Sequence, residues 1–157
     1  MILFYIFVFS IPLIDSLIKY HIRENFTEGI IYNTFLPFLK MTYVKNFGAA
    51  LGIFSGKLYF LEIFSLLIMA SLIYLIFFKK VKNKLFILSS AFVIGGGIGN
   101  LLDRIFLGFV TDYIQITFFK PVCNISDYFI TLGVFMMAVY IFKSDQEEAV
   151  IQQKDNF

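Results

Sequence analysis

The chain has 157 residues, 59% of them hydrophobic, 20% aromatic and only 15% charged, which is too apolar for an ordinary soluble domain and too short for many membrane spans. Its net charge is only +2 and the one dense cluster of lysines lies in a short stretch, so nucleic acid is not an expected partner. The single cysteine, Cys123, cannot close an internal disulfide and leaves the compartment open.

The composition predicts one small integral membrane domain over residues 1–157, with membrane helices near residues 2–20, 58–78, 85–103 and 125–142. Residues 1–14 are apolar, but no basic segment precedes them and no small-x-small site stands before Asp15. They therefore read as a permanent span rather than a cleaved leader. Near its end, Asp15 and Lys19 stand four apart in the order that favours a helical ion pair.

The next segment, residues 21–57, is too long for a plain connector. Leu39, Met41 and Tyr43 alternate with Lys40 and Thr42 after Pro37, a strand period that Val44 breaks. A small sheet on the membrane surface is expected, followed by a glycine-bearing turn from Asn46 through Gly48 to Gly52. Between the second and third helices lies Lys79-Lys80-Val81-Lys82-Asn83-Lys84, a dense basic loop that the positive-inside rule makes cytoplasmic. Both termini then lie in the cytoplasm, and residues 21–57 and 104–124 face outward.

In the third helix, Gly95, Gly96, Gly97 and Gly99 strip side chains from one end, and Gly95 and Gly99 have the spacing that lets membrane helices approach closely. Gly96, Asn100 and Asp103 fall on one helical face. Arg104 next to them either snorkels to headgroups or serves a site. Beyond it, Ile114, Ile116 and Phe118 alternate with Tyr113, Gln115 and Thr117, so Asp112 sits in an extended piece. The last helix starts after Asn124 and gives way to a polar tail, residues 143–157, expected to be mobile.

Three of the four aspartates that precede the tail, Asp103, Asp112 and Asp127, lie between residues 95 and 127. Ionisable groups beside apolar spans are costly enough that a functional reading is the default. Asp112 and Asp127 flank one outer segment, which puts them on one side of the membrane at similar depth. Two carboxyls brought close cannot both ionise cheaply, so such a pair can hold one proton and act as base and acid toward water. Asp127 also has a structural reading, as a first-turn residue of a helix capped by Asn124. A proton or ion relay through Asp103, Asp112 and Asp127 is the non-enzymatic alternative. His21 is the only histidine, so no two-histidine metal motif can be built and no metal ligands are assigned.

Four blocks in order resemble the lipoprotein signal peptidase (signal peptidase II) family: Asp15-Ser16-Leu17-Ile18-Lys19, the stretch from Asn46 to Phe54, Gly95 through Tyr113, and Asn124-Ile125-Ser126-Asp127. The resemblance implies a membrane α-helical fold with four transmembrane helices, a small extracytoplasmic β-cradle and a short outer loop or helix. It implies an aspartic endopeptidase of the bacterial cytoplasmic (inner) membrane that removes signal peptides from diacylglyceryl-modified prolipoproteins. Asp112 and Asp127 would be the catalytic pair. Asn46, Gly48, Asn100, Arg104 and Asn124 would line the substrate site, while Asp15, Lys19 and Asp103 would support it. No cofactor is implied; the expected partners are the prolipoprotein signal peptide, membrane lipid and the inhibitor globomycin, with the chain a monomer. The sequence departs from the family pattern at Leu51, Gly97, Ser126 and Thr111-Asp112-Tyr113, none of which removes a carboxylate.

Overall fold

A computed structural model describes residues 1–48 and 58–155. The expected turn from Ala49 to Gly52, Leu51 within it, and any short outer helix there lie outside the described residues. Four helices, α1 (Ile2–Asn25), α2 (Leu58–Phe77), α3 (Lys84–Leu107) and α4 (Ile125–Asp155), accompany strands β1 (Tyr32–Asn33), β2 (Leu39–Asn46), β3 (Val110–Ile116) and β4 (Val122–Cys123). Among the described residues three helices, α1, α3 and α4, are long and apolar enough to cross a membrane; the apolar stretch of α2, Glu62–Phe77, is shorter.

Helix α3 is the axis of the bundle, with α1, α2 and α4 packed on it. On α1, the buried residues Phe4, Val8, Ile11, Asp15, Lys19 and Ile22 form a stripe of helical period, while Phe9, Leu13 and Leu17 stay exposed. Outward-facing apolar side chains of that kind suit lipid, not water. Phe4, Val8, Met69, Leu72, Ile76, Phe86 and Ile94 build the core at one end of the bundle. At the other end the stripe turns polar, and the sheet sits there.

The glycines of α3 and α4 set the helix separations. A Cβ on Gly96 would lie 2.5 Å from the Ser126 carbonyl oxygen, and one on Gly133 would lie 2.7 Å from that of Ser89. Neither neighbour is a flexible side chain, so the helices must separate to admit a methyl group. Gly133→Ala is expected to cost about 1–3 kcal/mol, read as a lower unfolding midpoint in detergent; an unchanged midpoint would show that the helices can part freely.

Helix α3 runs past the expected end near Asp103, because its stop is Gly108: this residue takes a left-handed conformation (φ 77°), with its N–H donating to the Arg104 carbonyl. Helix α1 likewise continues to Asn25. The polar tail prolongs α4 to Asp155; residues 143–155 contain neither Gly nor Pro and are rich in Gln, Glu and Lys, so nothing local breaks the helix.

The sheet has the order β1-β2-β3-β4 and is antiparallel throughout. Between Met41 and Val44 the β2–β3 register shifts, with Met41 opposite Ile114 and Val44 opposite Asp112. This bulge accounts for the broken alternation at Val44 and for the burial of the adjacent Thr42 and Tyr43. It also brings Val44 and Asn46 onto the sheet face that carries Asp112.

Candidate active site

Asp112 is buried, 2% exposed, in the middle of β3. Asn46 Nδ2 donates to its Oδ2 at 2.9 Å and Asn124 Nδ2 to its Oδ1 at 2.7 Å. Asp127 receives the same treatment: Asn100 Nδ2 donates to its Oδ1 at 2.7 Å, and the Asn124 backbone N–H to its Oδ2 at 3.2 Å. Every oxygen of the two carboxyls therefore accepts a hydrogen bond.

The three amides cannot turn around. Asn46 Oδ1 accepts from the Gly48 N–H at 2.9 Å, Asn124 Oδ1 from the Asp127 N–H at 3.0 Å, and Asn100 Oδ1 from Lys19 Nζ at 2.9 Å. Each oxygen is occupied, so each NH2 points at a carboxyl. Asn124 and Asp127 make a reciprocal capping box at the start of α4. The helix-cap reading of Asp127 is thus realised, and it fixes the carboxyl in place beside Asn100 and Asn124. Asn124 touches both aspartates at once.

Burial pushes the Asp112 carboxyl up from 3.8 to about 7, with the nearby Asp127 charge adding to the rise; the amides of Asn46 and Asn124 and the Lys19 charge pull it part of the way back. Asp112 is therefore about half neutral near pH 7 and mostly neutral at about pH 6. On β4, burial pushes the Cys123 thiol up to about 11, which leaves almost no thiolate at neutral pH.

Beneath the amides lies a second tier of charge. Asp15 and Lys19, both fully buried, pair at 2.6 Å, as their spacing predicts. Lys19 also reaches Asp103 at 3.4 Å, and Arg23 reaches Asp103 at 3.5 Å. Asp103 Oδ2 accepts from the Thr111 N–H at 2.8 Å, and Arg23 donates to Thr111 Oγ1 at 3.0 Å. Asp15 further accepts from the Tyr113 hydroxyl at 3.1 Å and the Ser126 hydroxyl at 2.7 Å. Burial beside Asp15 raises the Tyr113 phenol far above its usual range. Asp103 is thus held by two cations and an amide, an arrangement that does not suit a proton relay.

A cleft of about 490 Å³ opens over this assembly. Asn46, Gly48, Asn100, Arg104 and Asp127 line its polar part, while Phe118, Phe119, Tyr128 and Ile130 contribute to an apolar wall. Asp112 borders this polar part through Asn46, which donates to it and lines the cleft. Arg104 Nη2 approaches the Gly48 carbonyl at 3.5 Å, and its buried Nε finds no partner among the described residues. Arg104 therefore turns into the cleft.

The candidate site residues Asp15, Lys19, Asn46, Gly48, Asn100, Asp103, Arg104, Asp112, Asn124 and Asp127 all lie in this assembly. Arg23, Thr111, Tyr113 and Ser126 were not recognised as parts of it, although Arg23 continues the four-residue spacing of Asp15 and Lys19. Ser126 occupies space that the bare face of Gly99 leaves open, since a Cβ there would collide with the Ser126 hydroxyl.

Comparison with known proteins settles the family. A family model described as "Signal peptidase (SPase) II" matches residues 7–143. The chain belongs to the signal peptidase II family. It is 36% identical to the lipoprotein signal peptidase of Caldicellulosiruptor bescii over 151 residues, covering 96% of this chain and 98% of that one. The lipoprotein signal peptidase of Lactobacillus johnsonii is 38% identical over 135 residues, covering 85% and 88%. Among solved structures, a bacterial membrane enzyme determined in meso at 2.3 Å resolution superposes with a TM-score of 0.85 at 28% identity, covering 92% of this chain and 90% of that one. A second, at 1.9 Å, gives a TM-score of 0.81, also at 28% identity, covering 89% and 92%. As a signal peptidase II the chain is a multi-pass membrane protein and a membrane aspartic peptidase.

Proposed function

We propose that this signal peptidase II removes signal peptides from diacylglyceryl-modified prolipoproteins through Asp112 and Asp127. The observation that carries the assignment is the frame of three orientation-locked amides aiming donors at both carboxyls beside an open cleft. Such pre-set dipoles hold the pair in place without reorganisation during the reaction.

At rest the pair shares one proton, held mainly on Asp112, and should be regarded as one titrating unit. Asp127, which borders the cleft, takes a proton from a water as that water attacks the scissile carbonyl carbon. Asp112 gives its proton to the carbonyl oxygen, and a tetrahedral diol results. When the C–N bond breaks, Asp127 passes its proton to the departing amine and Asp112 recovers one from the diol, so the original state returns. Water is the only co-reactant, and no cofactor takes part.

The remaining features fit that substrate. Helix α2 serves as a fourth span, placing both termini in the cytoplasm and the sheet and cleft at the outer face of the cytoplasmic (inner) membrane, by the lysine-rich loop. A signal peptide is an apolar helix in the bilayer, and its scissile bond lies near the outer surface, at the depth of the cleft. Asn46, Gly48, Asn100, Arg104 and Asn124 line or frame the substrate site; the apolar wall receives lipid-modified cysteine or, competitively, globomycin. The enzyme acts as a monomer, since one chain supplies both aspartates and all three amides.

The test is release of signal peptide by the purified chain in liposomes from a diacylglyceryl-modified prolipoprotein and from the same precursor without lipid. Cleavage of the modified precursor is expected, with the unmodified one cut far more slowly. A folded preparation that leaves the modified precursor intact, or that only passes ions across empty liposomes, would contradict the assignment.

A further inference from the structure

At the end of the bundle opposite the aspartates, a second cavity of about 530 Å³ lies between the start of α1, the end of α2, the link that follows and the start of α3. Lys84, at its rim, is separated from Asn100 by 16 residues of one helix, or ~24 Å at 1.5 Å per residue. The cavity is therefore independent of the peptidase site. Lys80, Lys82 and Lys84 line it together with Tyr5, Ile76, Phe77, Val81 and Ile87.

The link is built to hold those lysines in place. Val81 and Ile87 pack against the apolar core, and the Val81 N–H donates to the Leu75 carbonyl at 3.2 Å. Asn83 is committed to capping α3, its Oδ1 accepting from the Leu85 and Phe86 N–H groups at 2.9 and 3.2 Å. Lys80 takes a positive φ of 55° at the turn out of α2. With Val81 turned inward and Asn83 occupied, Lys80, Lys82 and Lys84 are left to border the cavity, and Lys79 does not.

No acidic residue lines the cavity among the described residues, and none occurs between residues 63 and 102 or before Asp15. The lysines also form no ion pair among the described residues. The polar rim is thus cationic, with no carboxylate in its lining among the described residues, and the wall below it is aliphatic and aromatic, in a protein that sits in lipid. We infer that this cavity binds an anionic phospholipid, with the phosphate held by Lys80, Lys82 and Lys84 and an acyl chain along Tyr5, Ile76, Phe77 and Ile87. Free phosphate shares the headgroup chemistry but would leave the apolar wall unused.

The protein contains no tryptophan, so Tyr5→Trp places a single reporter in the cavity. In vesicles, brominated phosphatidylglycerol should quench it more than brominated phosphatidylcholine at equal mole fraction. Replacing Lys80 by Asn, which tolerates the left-handed turn, and Lys82 and Lys84 by Gln should lower that preference about three- to fivefold per lysine. Lys79→Gln, which changes the same loop charge away from the cavity, should leave it intact. Equal quenching by both lipids, an unaltered preference in the triple variant, or an equal loss in Lys79→Gln would overturn the inference. Loss of the preference on adding inorganic phosphate, but not chloride of matched ionic strength, would also overturn it, by assigning the rim to the free ion.

Discussion

Asp112→Asn and Asp127→Asn are each expected to lower the rate of prolipoprotein cleavage by roughly a thousandfold or more, with far smaller effects on KM. An amide can neither take the proton from water nor return it to the amine, so the loss should fall on the chemical step. Folding should survive both changes at some cost, because an introduced NH2 must face a donor. In Asp112→Asn that donor is the amide of Asn46 or Asn124, neither of which can flip. One opposed pair of donors costs about 1–3 kcal/mol. Circular dichroism in detergent would therefore show a native helical protein with a lowered unfolding midpoint, while cleavage is lost. Retention of more than about a tenth of the activity in either variant would remove that residue from the catalytic role.

Lys19→Met should produce the largest loss of stability. Lys19 and Asp15 are both fully buried, and removing one member of a buried pair costs about 3–5 kcal/mol, because the other charge is left uncompensated. Asp103 keeps Arg23 as a partner, so most of the penalty falls on Asp15. A second effect is distinguishable from the first. Lys19 occupies the Asn100 oxygen, and without it that amide is free to turn its NH2 away from Asp127. Adding Asp15→Asn to Lys19→Met should restore much of the stability yet leave cleavage depressed. If activity returned together with stability, Lys19 would have no part in orienting Asn100.

Much of this arrangement could be read from the chain because it is local. The Asp15–Lys19 pair, the capping of α4 by Asn124 and the alternation around Met41 and Ile114 all follow from spacings of two to four residues, which helices and strands convert directly into shared faces. The end of α3 is equally local, since Gly108 after a basic last turn is a stop signal that lies beyond the expected end near Asp103. What could not be read depends on distant segments meeting. Nothing near Tyr113 announces that its hydroxyl reaches Asp15, 98 positions earlier, and nothing near Ser126 announces that it faces the bare side of Gly99. The bulge between Met41 and Val44 is a property of strand pairing, visible beforehand only as a flaw in the alternation. The cleft wall at Phe118 and Phe119 arises where the β3–β4 turn passes near Tyr128 of α4, which no periodicity in either segment specifies.

The most direct measurement is an infrared titration of the protein carrying ¹³C-labelled aspartate side chains. With its carboxyl raised to about 7, Asp112 keeps a proton below that pH and releases it above, so cleavage should decline on the alkaline side as the shared proton leaves. A protonated-carboxyl band should be present at about pH 6, disappear with a midpoint near 7, and be absent in Asp112→Asn. In Asp127→Asn the midpoint should fall, since the like charge that helps to hold the proton is gone. A wild-type spectrum with no such band at about pH 6, or a band untouched by Asp112→Asn, would contradict a proton shared by these two acids.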